Sequence, residues 1–145
     1  MAITKSGSIW RGDDLADLAE YLRAFQPGGY PVSQTAEPIC YECGARAFRV
    51  QVDDDEGCAK RTCVSCDADA FIADSAEVWD DADPGACGCP CGGSTFSVAI
   101  GFALRDNGDV RWISVGLRCI TDGRLGVYTD WKIDYNPTDH LFTQV

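Results

Sequence analysis

The stretch CYECGARAFRVQVDDDEGCAKRTCVSC, residues 40–66, contains two Cys-x-x-Cys pairs on either side of a predicted β-hairpin. The first pair is Cys40 and Cys43, and the second pair is Cys63 and Cys66. Apolar and polar residues alternate after the first pair, as in a half-buried strand, and an acidic run then predicts a turn. Because such a hairpin brings the two pairs opposite each other, we expect four thiolates to bind one structural zinc ion.

The composition favours metal binding over disulfides. The chain has 145 residues, nine of which are cysteines, and its first residues lack the apolar stretch of a signal peptide. Clustered cysteines in a reducing compartment bind metal more often than they form disulfides. No apolar run approaches the ~20 residues that a membrane span needs. We therefore predict a cytoplasmic protein without a membrane partner, in which the leftover Cys58 is a buried, small apolar residue.

The second half of the chain repeats the order of the first half. In each half, a cysteine-containing turn precedes a phenylalanine that begins a strand, and the returning strand ends in cysteine. Alignment of the halves places Cys91 over Cys43 and Cys119 over Cys63. This internal repeat predicts where the ligands of a second metal site lie.

The second predicted site is less regular than the first. Three of its ligands are Cys89, Cys91 and Cys119, because residues i and i+2 of an extended chain face the same way. The fourth ligand is Asp122 by position in the repeat or Cys87 by chemistry, and zinc accepts both oxygen and sulfur. We expect two zinc ions per chain, with loss of the second ion as the alternative.

The segments CYECG (40–44) and CVSC (63–66) resemble the two knuckles of a zinc ribbon. The resemblance covers residues 40–75 well and residues 87–135 in a degraded form, so it implies a tandem ribbon with a degenerate second copy. It implies a knuckle–hairpin–knuckle fold and a bound metal, but no activity, because zinc ribbons have varied functions. Rubredoxin iron has the same ligand set and is the alternative metal.

We predict an α+β fold with an N-terminal helix followed by two zinc-ribbon-like antiparallel units, each a β-hairpin or three-stranded sheet. Residues 13–26 have helical periodicity, and Asp13 or Asp14 can cap the helix. Its apolar face comprises Leu15, Leu18, Leu22 and Phe25. The predicted units are residues 1–36 with the helix and a connector, 37–84 with the four-cysteine ribbon, and 85–145 with the degenerate ribbon.

The charge distribution suggests a basic partner. The formal net charge is −11, and residues 37–84 contain 13 acidic and four basic side chains. Such a surface repels phosphate backbones and favours basic proteins. We predict a protein–protein interaction module, for example an inhibitor or immunity protein that covers a basic, nucleic-acid-acting partner. The predicted partner-binding residues are Asp53, Asp54, Asp55, Glu56, Asp80, Asp81 and Asp83.

Two other function classes remain open from the sequence. A zinc ribbon that binds nucleic acid or acts in transcription is the first, because arginine and aromatic residues occur together in the second half. A zinc-dependent hydrolase is the second, since a site with three protein ligands leaves one position for water. The chain has one histidine, His140, which we interpret as a surface or capping residue. We therefore predict no catalytic residue.

Overall fold

The computed structural model describes residues 3–7, 9–135 and 137–145. Within these residues the protein has one α-helix, α1 (Leu15–Phe25), and ten strands. The strands are β1 (Thr4–Ser6), β2 (Ile9–Arg11), β3 (Gln34–Ala36), β4 (Phe48–Asp53), β5 (Cys58–Cys63), β6 (Asp69–Phe71), β7 (Gly85–Ala86), β8 (Phe96–Leu104), β9 (Val110–Cys119) and β10 (Arg124–Lys132). Short 3₁₀ segments cover Pro27–Gly29, Ser75–Glu77, Trp79–Asp81 and Asp139–Phe142. The α+β class predicted from the sequence is confirmed.

All ten strands belong to one antiparallel sheet. Its order is β1-β2-β10-β9-β8-β4-β5-β6, with β3 paired to β8 and β7 paired to β4. The expectation of two separate small sheets is corrected here, because β4 and β8 meet at the pair Phe48 and Phe96. Each of these strands would otherwise leave an edge of unpaired backbone groups, and pairing the two edges satisfies some of those groups.

The two halves share their strand registers. Phe48 pairs with Cys63 in the β4–β5 hairpin, and Phe96 pairs with Cys119 in the β8–β9 hairpin. The third strands, β6 and β10, pair with β5 and β9 at the positions that the alignment makes equivalent. The second hairpin is longer and has a register shift near its turn, between Ala103 and Leu104. Each half therefore places a ligand cysteine at the end of its middle strand.

Helix α1 packs on the second half of the sheet. Asp14 caps the helix, since its Oδ1 accepts a hydrogen bond from the Asp17 N–H at 3.0 Å. Leu22 is fully buried against Gly116 of β9, where a Cβ would lie 2.9 Å from Leu22 Cδ2. Phe25, predicted on the same apolar face, is 55% exposed. It lies in the last turn of the helix, where its ring centroid is 5.7 Å from that of Tyr21.

The core extends across both halves. Phe48 and Val50 of the first half pack in one cluster with Phe96 and Phe102 of the second half. Cys58 belongs to neither pair of ligand cysteines and is fully buried, as the sequence predicted. The single helix described is too short to cross a membrane. Packing of this core holds the ends of the hairpins, and therefore the cysteines, in fixed positions.

Candidate metal centres

The first centre is formed by four cysteine sulfurs. The Sγ atoms of Cys40 and Cys66 lie 3.5 Å apart, and those of Cys43 and Cys63 lie 3.6 Å apart. All four Sγ atoms lie within 4.8 Å of one another. A regular tetrahedron with Zn–S bonds near ~2.3 Å separates its sulfurs by about 3.8 Å. The four thiols therefore have the spacing of a tetrahedral metal site, and all four are free of disulfides.

Backbone turns shape both knuckles of the first centre. The Gly44 N–H donates to the Cys40 carbonyl at 2.9 Å, and the Asp67 N–H donates to the Cys63 carbonyl at 2.9 Å. Gly44 has φ +76° and Asp67 has φ +64°, so a left-handed residue closes each knuckle. Glycine and aspartate adopt this conformation more readily than most residues, which explains their place directly after the ligands.

Hydrogen bonds from the backbone favour thiolates at this centre. The Ser65 N–H donates to Cys63 Sγ at 3.4 Å. The backbone N–H of Cys43 lowers the pKa of Cys40 to about 6, with a further contribution from the backbone of Glu42. The backbone N–H of Ala68 also favours the thiolate of Cys66, but burial and the neighbouring sulfurs outweigh it and raise the pKa of Cys66 to about 12. Because a metal binds the thiolate rather than the thiol, these donors prepare the site for a cation.

The second centre contains three cysteines and one aspartate. Cys91 Sγ lies 3.7 Å from Cys119 Sγ, and Cys89 Sγ lies 3.5 Å from Asp122 Oδ2. A tetrahedral ion with Zn–S near ~2.3 Å and Zn–O near ~2.0 Å would separate sulfur and oxygen by about 3.5 Å. The four ligand atoms lie within 4.8 Å of one another. Of the two candidates for the fourth ligand, the structure brings Asp122 into the group.

Cys87 lies outside both groups. Its side chain is buried, and its backbone N–H donates to the Val50 carbonyl at 2.8 Å, which adds it to the edge of β4. Burial raises the pKa of Cys87 to about 11. The thiol is therefore protonated at neutral pH, and the residue packs in the core.

The first knuckle of the second centre is one residue shorter than its counterpart. The Gly92 N–H donates to the Cys89 carbonyl at 2.8 Å, which closes the turn over three residues instead of four. The Gly93 N–H donates to Cys91 Sγ at 3.4 Å. A Cβ at Gly93 would lie 3.1 Å from Cys119 Sγ, so a side chain there would displace a neighbouring sulfur by a few tenths of an ångström.

Local hydrogen bonds keep the aspartate ionised. The Arg124 N–H donates to Asp122 Oδ1 at 3.0 Å, and this bond lowers the pKa of Asp122. Burial raises the pKa of Cys89 to about 12. A bound cation would favour the thiolate of Cys89, so metal binding at this centre is expected to release a proton.

The two acidic stretches predicted to bind a partner lie side by side. The Asp83 N–H donates to Asp53 Oδ2 at 2.8 Å, and this bond lowers the pKa of Asp53. Asp54 Oδ1 accepts a hydrogen bond from Thr129 Oγ1 at 2.9 Å. Asp53 is partly buried and serves the turn, whereas all six other predicted residues are exposed. The exposed members are Asp54, Asp55, Glu56, Asp80, Asp81 and Asp83.

His140 belongs to neither metal group. It is exposed, and its ring stacks on Tyr135 with 6.4 Å between the ring centroids. A different feature, formed by β2 beside the second centre, was not predicted from the sequence. Arg118 Nε donates to the Gly12 carbonyl at 2.7 Å, which brings Arg11 and Arg118 to one cavity. No local pattern in the first 12 residues indicated that they would pair with β10.

No protein-family model, curated protein or solved structure matches this chain. The resemblance to zinc ribbons therefore stays a prediction that depends on the knuckles, their spacing and the hairpins between them. The structure adds that two groups of four potential metal-binding side chains converge. One group has four cysteines, and the other has three cysteines and an aspartate.

Proposed function

We propose that the protein binds two zinc ions, that these ions hold the sheet rigid, and that its acidic surface binds a basic protein. The observation that carries the proposal is the tetrahedral spacing of both ligand groups, with paired atoms 3.5 to 3.7 Å apart. Structural zinc sites are closed by four protein ligands, and each centre offers four. We propose these centres as two zinc-ribbon-like sites, the second of which has diverged.

The ligand sets support zinc over iron. Cysteine thiolates bind both metals, but a carboxylate oxygen in place of one sulfur is a common zinc ligand. Zinc bound to four thiolates, or to three thiolates and a carboxylate, retains a charge of about −2. Two loaded centres would therefore add to the negative charge of the chain and strengthen its preference for basic partners.

The acidic surface, defined as Asp54, Asp55, Glu56, Asp80, Asp81 and Asp83, supports the choice of partner. None of these residues forms an ion pair with another described residue, so their charges are directed at solvent. Complementary charge speeds encounter and sets specificity. One partner with this chemistry is a basic toxin that acts on nucleic acids. The protein would then be the immunity protein that inhibits the toxin.

Metal analysis tests the first part of the proposal. We expect elemental analysis of the purified full chain to give two zinc ions per chain. The variant Cys66→Ala should retain one ion at the second centre, and Asp122→Ala should retain one ion at the first centre. Iron in place of zinc, or a metal content that neither substitution changes, would contradict the proposal.

Charge reversal tests the second part. Asp54→Lys, Asp55→Lys and Glu56→Lys together should abolish the salt-sensitive capture of a basic protein from lysate of the source cells. The matched control reverses three acids outside the acidic surface, Glu20, Asp106 and Asp134, and should leave capture intact. Equal loss with both triple variants would indicate a general charge effect and would refute a specific surface.

A further inference from the structure

A cavity of about 430 Å³ lies beside the second centre, between β2 and the knuckle that carries Asp122. Two arginines, Arg11 and Arg118, are among the residues that line it. We propose that this arginine cavity binds an oxyanion, a phosphate or carboxylate group of a small molecule. The proposal goes beyond the acidic surface, because it assigns a separate site with the opposite preference for charge.

Arg118 is held in place while its end remains available. Its Nε donates to the Gly12 carbonyl at 2.7 Å, and the Gly12 N–H donates to the Gly123 carbonyl at 2.9 Å. The two amino groups of Arg118 have no hydrogen-bond partner among the described residues, and the same is true of the Arg11 guanidinium. A guanidinium offers paired donors that match the oxygens of a carboxylate or phosphate.

The first centre provides an internal comparison. There, Arg49 pairs with Asp67 at 2.8 Å between Nη2 and Oδ1. The repeat aligns Asp67 with Gly123, which has no carboxylate to offer. Gly123 has φ +78°, and a Cβ there would lie 2.8 Å from the Gly12 carbonyl oxygen, so the close approach of β2 requires glycine. Arg49 aligns with Ser97, and Arg118 is the cross-strand partner of Ser97. The arginine of the second half therefore lacks, at the position of Gly123, the acid with which the arginine of the first half pairs.

The carboxylates that do line the cavity leave the guanidiniums unpaired. Asp13 and Asp122 both border it, yet neither lies within 4.0 Å of a nitrogen of Arg11 or Arg118. Asp122 accepts the Arg124 N–H and faces Cys89 in the metal group. With metal bound, the three thiolates and the carboxylate would leave this centre with a charge of about −2, more negative than Asp122 beside protonated thiols, so we expect the oxyanion to bind less tightly to metal-loaded protein. This dependence on metal rests on the proposed zinc binding.

The test is a titration of the purified full chain with inorganic phosphate and, separately, acetate, followed by amide chemical shifts. We expect saturable shifts at Gly12, Thr121 and Gly123, all of which line the cavity. Arg11→Gln should weaken binding at least about tenfold, because it removes a charge-assisted hydrogen-bond donor. Arg11 is the better choice for substitution than Arg118, since its side chain makes no hydrogen bond that holds β2. Arg49→Gln is the matched control and should leave binding unchanged.

The metal content of the same sample separates the two proposals. Zinc-loaded protein that shows no saturable shifts would overturn the arginine cavity and leave zinc binding intact. Saturable binding that Arg11→Gln weakens, in a sample without zinc, would support the cavity and contradict the metal centres. Equal weakening by Arg11→Gln and Arg49→Gln would overturn the cavity as a specific site. Binding of phosphate alone identifies a phosphate site, and binding of both anions extends it to carboxylates.

Discussion

Phe48 and Phe96 are cross-strand partners, and they are also equivalent residues of the two halves. Phe48 pairs on its other side with Cys63, and Phe96 pairs on its other side with Cys119. A single row of paired residues therefore crosses four strands and joins a ligand of each centre. With strands ~4.8 Å apart, the Cα atoms of the two cysteines lie about 14 Å apart along this row.

We expect Phe48→Ala to destabilise the protein by about 3–5 kcal/mol, because it opens a cavity in the middle of this row. Phe48 is fully buried, and the Arg61 guanidinium lies 4.8 Å from its ring centroid. Denaturant unfolding measures the loss. Phe25→Ala is the control, since Phe25 is 55% exposed, and should change the free energy of unfolding much less. Similar losses for both variants would contradict the role of the row.

Removal of metal should unfold the protein. Structural zinc contributes ~10–16 kcal/mol per site in small peptides at neutral pH, which exceeds the stability of a typical domain. Stringent chelation of the reduced protein should therefore abolish its near-UV circular dichroism, and added zinc should restore it. Cys63→Ala should lose one ion, whereas Cys58→Ala, at an equally buried cysteine outside the centres, should lose none. A chelated protein with native circular dichroism would disprove the structural role of the metal.

The second centre should bind zinc less tightly than the first, because it contains one carboxylate and a shortened knuckle. Asp122→Cys would supply a fourth thiolate, and we expect it to raise zinc affinity at this centre by about tenfold or more. Asp122→Asn should lower the affinity, since it removes the charge of the ligand. Competition with a chromophoric chelator measures the zinc affinity of both variants. Cys66→Ser, which changes a residue of the first centre, provides the comparison. A zinc affinity at the second centre that neither Asp122→Cys nor Asp122→Asn changes would contradict the assignment.

Asp53 should make the stability depend on acid pH. The N–H groups of Asp83 and Glu56 lower the pKa of Asp53 in the folded protein, so its unfolded pKa is the higher one. Its contribution is therefore present above the unfolded pKa, near ~3.9, and is lost as the pH falls through the folded value. Asp53→Asn should be less stable than wild type at neutral pH, and the difference in free energy of unfolding should narrow below about pH 4. The Asp55 carboxylate accepts no hydrogen bond from a described residue. Asp55→Asn should therefore show no such difference from wild type in denaturant unfolding.

The sequence was most informative where structure is local. The hairpin between Cys43 and Cys63 was predicted because strand alternation, an acidic turn and two Cys-x-x-Cys knuckles all lie within one short segment. The helix was predicted to within two residues at its N-terminus, and Asp14 rather than Asp13 caps it. The spacing of the ligands alone left the choice between Asp122 and Cys87 open, and their side-chain positions decide it.

Long-range pairing was not predictable from the same patterns. The contact of β4 with β8 and the addition of β2 to β10 join backbone groups, which any residue except proline offers, so no residue type marks them. The cavity at Arg11 and Arg118 depends on the second of these contacts. Asp54, predicted as a partner-binding residue, also has a long-range contact that the sequence did not indicate, since its carboxylate accepts a hydrogen bond from Thr129 on a distant strand.

The contact between β4 and β8 consists of a single paired position, because β7 occupies the rest of that edge of β4. Little of the backbone ladder therefore holds the halves together, and side chains such as Phe48 and Phe96 supply most of the cohesion. In folding, each hairpin can close through contacts between near neighbours in the chain, whereas the contact between β4 and β8 needs residues from distant segments. We expect the contact between β4 and β8 to form after the hairpins. We also expect it to be the first contact that breaks under a pulling force.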